Sequence, residues 1–106
     1  MQRWRAGGWT ITRVPDPGFE LVLPQDDETR AALQRSPWLL PRFVTDDWAL
    51  RVGSSAIVLD DGTATAIVDP WLAFDDPSRF ASRLGALSAA GWSADDVDIV
   101  INSHID

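Results

Sequence analysis

The 106 residues are 45% hydrophobic and 24% charged, with sixteen acids against nine arginines and no lysine or cysteine. The length suits one domain or a piece of one, and the apolar fraction excludes a disordered chain. The missing cysteines exclude a disulfide framework, a zinc finger and a thiol nucleophile. The net charge of −7, with arginines scattered from Arg3 to Arg83, excludes the basic stripe that nucleic-acid binding needs. No apolar run approaches the ~20 residues of a membrane span. The first eight residues lack the apolar stretch of a secretion signal, so a cytoplasmic location is expected.

In chain order, Trp9 to Val14 alternates β-branched and aromatic residues and predicts a strand. Pro15-Asp16-Pro17-Gly18 predicts a turn, with Phe19–Leu23 as the return strand of a hairpin. Asp26, Asp27 and Glu28 mark the start of a short helix reaching about Arg35, acids first and arginines last, as the helix dipole favours. Ser36 to Pro41, with two prolines, predicts a loop packed by its own apolar residues. Ala49–Leu59 and Ala64–Val68 read as strands joined by the hairpin loop Asp60-Asp61-Gly62-Thr63, and Pro70 ends the second.

The next helix is marked by Asp76 as N-cap and Pro77 at its first position. Phe80, Leu84 and Leu87 form its expected apolar face, and Arg79, Ser82 and Arg83 are expected in solvent. Gly85 suggests a close approach to a sheet. Gly91 fits a left-handed cap from which Trp92 folds back on Leu87, and Ser93–Asp96 fits a capped turn. Asp98–Asn102 has a fully apolar centre and is expected as a strand buried on both faces, parallel to Ala64–Val68 and reached by a right-handed crossover. The expected class is α/β (α+β), with a mixed sheet and one main covering helix.

The C-terminal end of such a strand is where α/β sheets build sites, and Ser103-His104-Ile105-Asp106 stands there. His104 is the sole histidine, and imidazole suits zinc and its neighbours. In extended backbone, Asp106 emerges on the same side and shares one cation with it; a solvated chain end is the plainer alternative. Ser103 is expected to point away from His104. The acidic doublets lack the spacing of a calcium loop and fit turns and caps. The six tryptophans fit core or interface packing, with Trp4 and Trp9 open to a partner surface.

Residues 45–106 resemble the opening of metallo-β-lactamase fold hydrolases. The likeness rests on the Trp48–Leu59 strand region, the hairpin ending in Ala66-Ile67-Val68-Asp69-Pro70, the stretch Ala90–Ile101, and the order of the elements. Ser103 matches the threonine, and His104 the first metal-binding histidine, of the family motif Thr-His-x-His-x-Asp-His. The resemblance implies the N-terminal half of an αββα sandwich, ending at the first metal motif. It implies a single partial domain, with residues 1–44 as an arm holding a hairpin and a short helix and 45–106 leading to the motif. It also implies His104 as a metal ligand and Asp69 as a carboxylate supporting the site from behind.

Asp106 stands where the family has its second histidine, a departure that favours harder ions such as Mn²⁺ or Mg²⁺ over three-histidine zinc. The implied cofactor of a full-length parent is Zn, or Mn or Fe. The implied reaction is hydrolysis of an ester, lactone, amide or phosphoester by metal-activated water. With at most two ligands, these residues alone are expected to lack that activity and to carry no catalytic residue. Expected partners are a small-molecule substrate of the parent, with self-association or a complementing C-terminal half to cover an open sheet. The alternative is a non-catalytic remnant or a small tryptophan-rich binding module.

Overall fold

The computed structural model describes residues 2–15, 18–70 and 77–105. Asp16 and Pro17 of the expected turn, Trp71, the expected cap Asp76 and Asp106 lie outside the described residues. The chain forms two compact units, one of residues 1–16 with 54–106 and one of residues 17–53.

The larger unit is built on a mixed five-stranded sheet of β1 (Gln2–Ala6), β2 (Trp9–Pro15), β5 (Ser55–Asp60), β6 (Thr65–Val68) and β7 (Ile99–Ile101), side by side in that order. β6 and β7 are parallel and joined through the helix α2 (Pro77–Ala89); the other neighbours are antiparallel. The Asp60–Thr63 loop closes the β5–β6 hairpin, with Asp60 accepting the Gly62 N–H and Asp61 those of Thr63 and Ala64. Gly62 takes φ +87°, a backbone state that favours glycine.

Strand register sorts the side chains onto two faces. Arg3, Thr12, Val58, Ile67 and Val100 lie in one cross-strand row, and Val14 and Ala56 in a parallel one. Val14, Ala56, Val58 and Ile67 form the core of this unit with Leu87 and Ala90 from the end of α2, and Ala86, Trp92 and Val97 pack at its margin. Thr12 is buried in this layer, and its hydroxyl accepts a 3.0 Å bond from the Arg3 Nε–H, so that buried hydroxyl is paired.

The C-terminus of α2 follows its sequence signals. Gly91 takes φ +106°, its N–H donates to the Ser88 carbonyl, and the Trp92 N–H donates to Leu87. These two bonds make a Schellman motif. The buried stripe of α2 differs from expectation: it runs Arg83, Leu87, Ala90, while Phe80 and Leu84 stay partly in solvent. Ala86, Leu87 and Ala90 are the residues of this segment that pack against the sheet core. Arg83, expected in solvent, is buried. Gly85 is exposed, and a Cβ built on it meets nothing within 4 Å, so it serves no close approach.

β7 is also a correction. Its three residues are between 41% and 59% exposed instead of buried on both faces, because among the described residues β7 is an edge strand with only β6 beside it.

The smaller unit pairs β3 (Phe19–Val22) with β4 (Ala49–Val52) and carries α1 (Asp27–Arg35) and a 3-10 turn, Pro37–Leu39. Asp26 caps α1 through a 2.8 Å bond from the Thr29 N–H, and Leu33, Val44 and Ala49 are buried. The expected hairpin of Trp9–Val14 with Phe19–Leu23 does not form. Both edges of β2 are taken, by β1 and β5, so the chain after Pro15 feeds a different sheet. Gly18 passes so close to the Val52 carbonyl that a Cβ would stand 2.7 Å from its oxygen. The expected single strand Ala49–Leu59 breaks at Gly53 and Ser54 into β4 and β5, one in each unit. Among the described residues no helix is long and apolar enough to cross a membrane.

Candidate functional site

β6 and β7 end side by side, and the residues after each meet. The Asp69 N–H donates to the Ile101 carbonyl at 2.8 Å, one bond beyond the ladder. Asp69 takes φ 51°, a left-handed conformation that aspartate tolerates better than most residues. Its carboxylate receives both donors of Ser103: the backbone N–H reaches Oδ1 at 2.7 Å, and the hydroxyl donates to Oδ2. His104 follows, with Nδ1 3.0 Å from the Ser103 hydroxyl oxygen and 4.0 Å from Asp69 Oδ1. Its imidazole is 65% exposed, and the Asp69 side chain 34%.

Strand ends explain this geometry. Beyond Ile101 the backbone is no longer extended strand, so Ser103 and His104 fall on one side of the chain instead of alternating. The expectation that Ser103 points away from His104 is therefore corrected. The Ser103 hydroxyl bond lowers the Asp69 pKa most, its backbone N–H next; slight burial opposes them, and nearby His104 adds a smaller lowering. Asp69 thus accepts both a backbone N–H and a hydroxyl from the residue that precedes the histidine.

The arrangement differs from a nucleophilic triad. There the histidine bridges acid and hydroxyl, whereas here the hydroxyl bridges acid and histidine. Nor do the described residues complete a metal centre. No group of three His, Cys, Asp or Glu comes together among them, and both Asp69 oxygens are taken by Ser103. His104 is the sole histidine, and Asp106 lies outside the described residues. A groove of about 590 Å³ in the smaller unit, lined by Leu23, Thr29, Leu33, Leu39 and Val44, carries no comparable cluster, and Asp26 at its rim is spent on capping α1.

No family model matches the chain, and no curated protein matches it. Among solved structures the chain is similar to the crystal structure of the hydrolase AbOPH of the beta-lactamase superfamily, with a TM-score of 0.67 at 19% identity. The match takes in 98% of this chain and 35% of that one. The fold is that part of the metallo-β-lactamase fold. The chain thus spans about a third of the length of the hydrolase it matches. In this fold the mixed sheet, the covering helix and the closing strand β7 are the elements that lead to His104.

The bridging role of Ser103 is the feature that motif matching passed over. A hydroxyl directly before the lone histidine, with an aspartate at the end of the neighbouring strand, is the signal that carries it.

Proposed function

We propose that the chain is the N-terminal segment of a metal-dependent hydrolase, in which β7 delivers His104 as a metal ligand. In this reading Asp69 supports that ligand from behind through Ser103, and Asp106 is a second ligand. The observation that carries the reading is the Asp69–Ser103–His104 cluster at the shared mouth of β6 and β7, in a chain that spans a third of a hydrolase of the same fold. Bracing a ligand by a hydrogen-bonded carboxylate is a general device of metal sites. The parent acts on a small ester, lactone, amide or phosphoester with Zn, or with Mn or Fe where the Asp106 carboxylate shifts the preference toward harder ions.

The chain alone has no metal-dependent hydrolase activity in this proposal, because a catalytic zinc needs three protein ligands and an open position. A screen of ester, lactone, amide and phosphoester substrates with added Zn²⁺ or Mn²⁺ should give rates equal to the metal blank. Turnover that disappears in His104→Ala overturns the claim of inactivity. Calorimetric titration with Zn²⁺ should show one weak saturable site, lost in His104→Ala.

A second reading, a tryptophan-rich binding module or non-catalytic remnant, draws support from Trp4 and Trp9, which lie on one sheet face and are nearly half exposed. It expects no saturable metal site at His104, so the same titration separates the two.

A further inference from the structure

Residues 29–45 hold three arginines and none of the sixteen acids, a locally basic stretch in a chain of net charge −7. At its centre the 3-10 turn Pro37–Leu39 presents Trp38, which at 68% exposure is the most exposed of the described tryptophans. Trp38 meets Phe43, itself 42% exposed, edge to face with ring centroids 5.8 Å apart. The Arg42 guanidinium lies over the Phe43 ring, 5.5 Å from its centre. The three side chains form one aromatic and cationic patch within the smaller unit.

The backbone that carries the patch is tied down. The Phe43 and Val44 N–H groups both donate to the Leu39 carbonyl, at 2.8 and 2.9 Å, and the Leu40 N–H donates to Pro37. β4 holds it from beside: the Arg51 N–H donates to the Phe43 carbonyl at 2.8 Å, and the Arg51 guanidinium to the Arg42 carbonyl at 3.2 Å. Val44, next to Phe43, is buried. A large aromatic side chain held in solvent on an ordered backbone loses little freedom when it is covered. Tryptophan and arginine are also the residues on which interfaces concentrate their binding energy.

Charge selects the occupant. Arg51 stands opposite Glu20 in the β3–β4 ladder, and Arg30 lies over the Trp48 ring. The charge of the patch is therefore assigned to Arg42 and to Arg35 at the end of α1. An anionic lipid surface would attract these arginines but repel the −7 of the whole chain, whereas a short segment meets only the local charge. We propose that the Trp38–Phe43–Arg42 patch docks an acidic peptide segment of another protein, with an apolar side chain against Trp38 and carboxylates toward Arg42 and Arg35. The inference goes beyond the hydrolase reading and does not depend on metal binding.

A random peptide library displayed on phage and selected on the 106-residue chain tests the partner class without presupposing its sequence. Selected peptides should be rich in Asp and Glu around one or two aromatic or aliphatic residues. Synthesised with a fluorescent label, they should bind in solution with an affinity that weakens as salt is added. Trp38→Ala should weaken that binding at least about tenfold, as loss of an interface anchor does. Arg42→Gln should weaken it roughly two- to fivefold, the weight of an exposed ion pair, and flatten the salt dependence. Both side chains are exposed, so both variants should keep the circular dichroism of the parent. Should Trp38→Ala misfold, Arg42→Glu decides instead, since it must abolish binding of the acidic peptides.

A library that enriches nothing, selected peptides without acids, or binding that survives Trp38→Ala overturns the proposal. Co-sedimentation with phosphatidylserine vesicles that Trp38→Ala abolishes would give the patch to a membrane. Conversion of a self-associated parent to a monomer by Trp38→Ala, read by size exclusion, would give it to a second copy. Either result overturns the peptide.

Discussion

Three aspartates have carboxyl groups held below their ordinary range by hydrogen bonds: Asp26 by the Thr29 N–H, Asp61 by the Ala64 and Thr63 N–H groups, and Asp69 by the Ser103 hydroxyl and N–H. A native pKa below the unfolded value, close to 3.8, means that the native state binds the proton less readily. The stabilisation is therefore complete above the unfolded pKa and is lost as the pH falls through the lowered native one. Asp61→Asn keeps an acceptor oxygen in the hairpin loop but removes the ionisation. Its unfolding midpoint should lie below that of the parent at neutral pH, and the gap should close as the pH falls from about 5 to about 3. A gap that widens in acid would contradict this assignment. These capping roles were legible in the sequence, since aspartates beside glycine, threonine and serine in short turns accept backbone N–H groups. The Ser103 bridge was not, because its direction depends on where β7 stops, and strand ends are set by pairing.

At the scale of the element, α2 was legible at its C-terminal end and misread along its face. Gly91 and Trp92 close the helix as local chemistry dictates, but the buried stripe depends on which residues meet the sheet, and that is tertiary information. Gly85 separates local from tertiary cost. It lies inside α2 with open space around it, so Gly85→Ala should raise stability by roughly 0.5–1 kcal/mol. Gly91→Ala, at φ +106°, should lower it by about 1–2 kcal/mol. Urea unfolding of both variants against the parent checks the pair, and a loss at Gly85 would mean that α2 packs more closely than described. The strand β1 was absent from the sequence reading although Gly7-Gly8, between Ala6 and Trp9, is a two-residue hairpin signal. Arg3 shows what β1 contributes: its guanidinium donates to the Ala90 carbonyl at the end of α2 and lies over the Trp92 ring.

At the scale of the whole molecule, the two faces of the five-stranded sheet are unequal. One is closed by α2. The other carries Trp4, Ile11, Leu59, Ala66 and Ile99 in one cross-strand row, with Gln2, Arg13, Ile57, Val68 and Ile101 in the next. Trp4, Trp9, Ile99 and Ile101 on that face remain exposed, and among the described residues β7 is the last strand of the sheet. One wholly apolar row, beside a second that is apolar from β5 to β7, is the pattern of a sheet face that meets another layer, and an apolar edge invites pairing. Asp98, just before that edge strand, accepts the Thr65 N–H at 2.9 Å. The 106-residue chain should therefore self-associate or take up a complementing chain, eluting on size exclusion above its 11.7 kDa and binding a hydrophobic dye. A double variant, Trp4→Glu with Ile99→Lys, places charges on the exposed rows without touching the α2 core. It should shift elution toward the monomer and reduce dye binding, with circular dichroism unchanged. A parent chain that runs as a sharp monomer and binds no dye would show that this face is already satisfied, and the case for a missing layer would go with it.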